Sequence, residues 1–99
     1  MPVFVDPLMN HGGSATFRWK TSCHMYATDL DELHKFAKSI GLKREWFQNK
    51  RAPHYDLNAS RHAVAIKKGA IQHTRREAVD FWTAKGWHTR RLQQMEFGE

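Results

Sequence analysis

The sequence holds one cysteine, Cys23, in 99 residues, so no disulfide can close within the chain, and the paired Cys-x-x-Cys pattern of zinc or redox sites is absent. No apolar run approaches the roughly 18 residues that a membrane-spanning helix requires. No signal sequence of charged, apolar and small segments precedes the first strand-like run. With three prolines and six glycines, the chain has no low-complexity tract and no internal repeat. Together these absences predict a soluble protein of the reducing cytoplasm with no membrane partner. Acidic residues are also scarce: 10 Asp and Glu stand against 16 Lys and Arg, giving net charge +6 and a pI near 9.8. That positive field attracts phosphate-rich ligands. An acidic protein surface would answer the same charge, so composition leaves both partners open.

Hydrophobic residues make up 40% of the chain and aromatics 12%, with four tryptophans. That is enough apolar surface to offset ordering entropy in one domain of this length. The expected organisation is a single α/β domain over residues 1–86 and a basic C-terminal tail over 87–99. The β-branched and aromatic run PVFVDP reads as a first strand closed by Asp6 and Pro7. NHGGS, residues 10–14, matches no complete phosphate-loop pattern and reads as plain loop. Residues 17–26 alternate, with Phe17, Trp19, Thr21, Cys23 and Met25 on an apolar face. Arg18, Lys20, Ser22, His24 and Tyr26 fall on a polar one.

Thr28 with Asp31 is expected to open a helix through Leu30, Leu33, Phe36, Ala37 and Ile40, stopped by Gly41. His34 lies one turn after Leu30, at the edge of that stripe. Trp46, Phe47 and Gln48 fit a short strand, and HYDL a further one with His54 and Asp56 on one side. Asn58 can cap a helix whose Ala59, Ala63, Ile66 and Ala70 share a face. After a short strand at residues 71–73, Thr74 and Glu77 form a capping box for a last helix carrying Ala78, Phe81 and Trp82. Strands alternating with helices predict a small α/β sandwich, a short sheet with about three helices.

The stretch HYDLNASRH places a strand end beside a helix amino terminus, where backbone N–H groups collect anions. Arg61 and Asn58 are the candidate phosphate-binding residues there, Arg61 through its forked guanidinium. His54, oriented by Asp56, is the candidate acid or base, with His24 and His34 as further proton-transfer groups. Neither a His-Glu-x-x-His helix nor paired cysteines occur, so histidine count alone assigns no metal, and any cofactor is unknown. Asp6, at a strand end, resembles the acids of metal-dependent nucleases, but one aspartate does not make a two-metal site. Cys23 reads as core. Tryptophans interleaved with Lys50, Arg51, Arg90 and Arg91 offer a candidate nucleic-acid-binding surface.

The ordered motifs VFVDP, SCHM, DLDELHKFAKSIGL, REWFQ, PHYDL, SRHAVAIKKGA and TRREAV resemble the small bacterial and phage proteins of domain of unknown function 4031, over residues 3–79. The resemblance brings no activity. It implies that the family pattern falls on Asp6, His24, Asp29, His34, Phe47, Gln48, His54, Tyr55, Asp56 and Arg61, and its phage members imply a phage origin and a host-cytoplasmic location. Many relatives carry a Pro- and Trp-rich segment after the VD pair, where this chain has PLMNHGGSATFRW. The resulting expectation is a polar His/Asp/Arg site that binds or acts on nucleic acid or nucleotide phosphate. The competing reading is a non-catalytic factor that binds a host protein or nucleic acid through a basic, aromatic surface. A structural metal domain is a third.

Overall fold

The computed structural model describes residues 2–10, 21–49 and 52–87. In chain order these form β1 (Val3–Val5), β2 (Met9–Asn10), β3 (Thr21–Ala27), α1 (Leu30–Ser39), a 3-10 turn (Arg44–Trp46), β4 (Tyr55–Asn58), α2 (Ala59–Lys67), β5 (Ile71–Gln72) and α3 (Arg75–Ala84). The result is an α/β fold with a mixed sheet. β3 runs through its centre, antiparallel to β1 and β2 on one edge and to β4 on the other, while β5 lies parallel to β1. Between the pairs Val5↔Met25 and Met9↔Ser22, four steps on one strand match three on the other. One extra residue is therefore accommodated around Asp6 to Leu8, as in a β-bulge.

Strand alternation divides the core in two. Val3, Val5, Cys23, Met25, Tyr55 and Leu57 face one way and pack with Leu33, Ala37 and Ile40 of α1 and Ala65 of α2. Phe4 and Tyr26 face the other way, against Ala78, Phe81 and Trp82 of α3. The side of β3 expected to be polar is thus covered: Ser22, His24 and Tyr26 are all buried. The alternation is as expected, and α3 covers the second face where solvent would otherwise reach its polar groups.

Caps set the helix boundaries. Asp29, not Thr28, caps α1 by accepting from the N–H groups of Asp31 and Glu32. Asn58 caps α2 by accepting from Arg61 N, and Thr74 and Glu77 form the reciprocal box of α3. α2 buries Ala65 and leaves Ala59, Ala63 and Ile66 exposed, because β4 runs directly into the helix and fixes its rotation one residue away from the expected stripe. Trp46 closes a 3-10 turn where a strand was expected, and the pairing there reduces to one bridge, Gln48↔His54. Gly41 has φ +84, and a Cβ there would meet Arg61 Nη1 at 2.6 Å, so the α1 terminus is built around glycine. No helix among the described residues is long and apolar enough to cross a membrane.

Burial lowers the pKa of His34, His62 and His73, with Arg44 adding to the effect at His34. Each is less easily protonated folded than unfolded, so the unfolded chain takes up more protons on acidification. Stability from these groups is complete above the ordinary histidine value of about 6.5 and is lost as pH falls below it. Urea midpoints should therefore drop between pH 7.5 and 5.5. A midpoint that holds or rises over that interval would contradict the assignment.

Candidate functional site

The register of β3 decides which polar groups meet. His24 stands opposite Asp56 of β4 on one side. On the other, Asp6 N donates to His24 O at 3.2 Å, continuing the β1 pairing. Cross-strand partners share a face, so Asp6, His24 and Asp56 line up across the sheet, and His54, two residues before Asp56, joins them. Asp6, His24 and His54 are 3%, 4% and 5% exposed, and Asp56 is half-buried at the rim.

Each side chain is held from behind. Asp6 Oδ1 accepts from His24 N at 2.6 Å, and Asp6 Oδ2 pairs with His24 Nδ1 at 2.6 Å. A carboxylate oxygen accepts, so Nδ1 carries a hydrogen, and in the neutral ring Nε2 bears the lone pair. His54 Nδ1 donates to Ala52 O at 2.6 Å, so in the neutral ring Nε2 bears the lone pair here too. Gln48 Nε2 donates to Asp56 Oδ2 at 2.7 Å. The His24 and His54 rings meet edge to face with centroids 5.0 Å apart, and Trp82 of α3 walls both, at 5.3 and 6.1 Å. His24, His54 and Asp56 each offer one ligand atom, all within 4.8 Å of one another, a grouping among the described residues that could hold a metal.

The remaining expected site residues lie elsewhere. His34, on α1, is on the opposite side of the sheet, where its Nδ1 shares a 2.8 Å hydrogen bond with Tyr55 Oη and its ring packs edge-on against Phe47. Arg61 Nη1 donates to Ile40 O at the carboxyl end of α1, and the Asn58 side chain serves the α2 cap, so both expected phosphate contacts are occupied within the fold. His54 is oriented by the Ala52 carbonyl; its Nε2 lies 3.2 Å from Asp56 Oδ1 without hydrogen-bond geometry. His24 has a carboxylate partner of its own in Asp6. Lys50, Arg51, Arg90 and Arg91 lie outside the described residues. Trp87, placed by expectation in the tail, packs on Phe81, Trp82 and Tyr26.

The family pattern named Asp6 and Gln48, but sequence reasoning gave neither a role beside His24 and His54, and it read Trp82 only as part of the last helix. The available signal was the VFVD alternation, which puts Asp6 on the face of Phe4. Burial, with Asp6 and Asp56 adding to it, raises the Cys23 pKa far above its usual value, so Cys23 is an unreactive core thiol.

Residues 3–85 match the model of one family, Protein of unknown function (DUF4031). The chain belongs to this family. No curated protein and no solved structure matches it. Within the DUF4031 match lie all four cluster residues, both cores and α3.

Proposed function

We propose that this DUF4031 domain docks single-stranded nucleic acid on the basic, aromatic surface of the Arg44–Trp46 turn, beside the Asp56 rim of the cluster of His24, His54 and Asp56. The observation that carries the reading is Trp46, a large aromatic side chain left 46% exposed. Lys43 Nζ lies 5.7 Å from its ring centroid, and the Arg44 guanidinium lies 5.2 Å from that of Phe47. An exposed indole among cations lets a base stack while phosphates are neutralised. Trp46 is two residues from Gln48, a span of at most about 7 Å, and Gln48 holds Asp56. The net charge of +6 supports an anionic ligand.

Binding of a labelled oligothymidylate, followed by anisotropy, tests this. Affinity should fall linearly with log salt concentration, and Trp46→Ala should weaken it by about tenfold, the stacking of one base. Combined Lys43→Glu and Arg44→Glu should flatten the salt slope by about two charges. No binding at low salt, or full affinity in Trp46→Ala, would reject this surface and leave a protein partner as the reading to pursue.

A further inference from the structure

We infer that His24, His54 and Asp56 are the protein ligands of a divalent transition-metal centre. The inference goes beyond the nucleic-acid reading and stands without it. Its basis is the contact between His54 and Asp56. His54 Nε2 is fully buried, and among the described residues no hydrogen bond reaches it. With Nδ1 donating to the Ala52 carbonyl, Nε2 bears the lone pair of the neutral ring, and it lies 3.2 Å from a carboxylate oxygen. Two electron-pair bearers side by side repel unless a cation lies between them. A proton on Nε2 would make the contact an ion pair yet leave it without a hydrogen bond, since the pair lacks that geometry. A metal ion engages both groups directly: ligands about 2.1 Å from a zinc-like ion sit roughly 3.0 to 3.4 Å from one another in octahedral or tetrahedral geometry.

The surroundings carry the same signature. Metal-binding imidazoles donate their other N–H to a carboxylate or a backbone carbonyl, and ligating carboxylates are themselves hydrogen-bonded. His24 does so to Asp6, His54 to Ala52 O, and Asp56 accepts from Gln48. Two imidazoles and one carboxylate suit Zn²⁺ or Fe²⁺ better than Mg²⁺ or Ca²⁺, which prefer all-oxygen sites. Three protein ligands leave at least one position for water, the pattern of catalytic and not of closed structural sites. The ligand atoms lie within 4.8 Å of one another, so the widest pair closes by up to roughly 1.4 to 1.8 Å when the ion enters. The rim position of Asp56 makes its side the approach for water.

Cobalt titration of the chelator-treated full chain tests the centre. Visible d–d absorption should rise to an end point at one equivalent and be displaced by Zn²⁺. His54→Ala and Asp56→Asn should each weaken binding at least 100-fold, Gln48→Ala by about 10- to 100-fold, and His34→Ala not at all. Circular dichroism monitors folding; should His54→Ala fail to fold, Asp56→Asn, a near-isosteric change at the rim, decides alone. A one-equivalent end point that survives Asp56→Asn, or no binding at 100-fold molar excess of Co²⁺, would overturn the inference.

Discussion

Asp6→Ala is expected to lower unfolding free energy by about 3 kcal/mol, the cost of leaving two buried donors without an acceptor. Both carboxylate oxygens of Asp6 serve His24, one accepting from its backbone N–H and the other pairing with its ring, each at 2.6 Å. The side chain is almost wholly buried, so water cannot replace it. Breaking a buried pair by removing one partner costs far more than the intact pair is worth relative to an apolar substitute, because a desolvated polar group is stranded. Against a total of about 5–15 kcal/mol for a natural domain, the loss is a large fraction. Asp6→Asn keeps one acceptor and should recover part of it. Urea unfolding with an unchanged m-value gives the difference directly. A loss below about 1 kcal/mol would mean that the Asp6–His24 pair does not hold the centre of the sheet.

What the sequence discloses about this fold is local, and what it conceals is long-range. Period-two alternation in SCHMY and HYDL assigns those strand residues to faces, and the structure keeps those assignments. The capping box at Thr74 and the glycine after Ile40 mark helix ends for the same reason: their physics is confined to a few residues. Strand order is different. Asp6 meets His24 across 18 residues, and nothing local says that β1 and β4 flank β3. His34 joined the expected site because its residue type suits proton transfer. The topology places α1 on the far side of the sheet. Arg61 was read as facing an anion at a helix amino terminus, yet the negative pole offered to it is the carboxyl end of α1, through Ile40 O. The burial of His24 depends on α3, whose amphipathic stripe announces a partner face without naming it.

Trp82→Ala should be the most damaging single substitution in α3, costing about 4 kcal/mol, as for other buried aromatic truncations. The indole is 2% exposed and is, with Ala78, the buried anchor of the helix. Its ring contacts Tyr26 at 5.5 Å and Trp87 at 5.9 Å as well as both site imidazoles, so truncation opens a cavity bordered by polar groups. For a domain of this size the expected fall in Tm is at least about 15 °C. Trp82→Phe retains an aromatic wall and should lose less than half as much stability. It should nevertheless weaken cobalt binding, because the apolar shell around a metal site sets its solvent access and dielectric. The two readouts separate the roles of the residue. A Tm change under about 5 °C in Trp82→Ala would show that α3 does not seal this face of the sheet. Unchanged cobalt affinity in Trp82→Phe would confine the indole to packing, with the centre defined by its ligands and their hydrogen-bond partners alone.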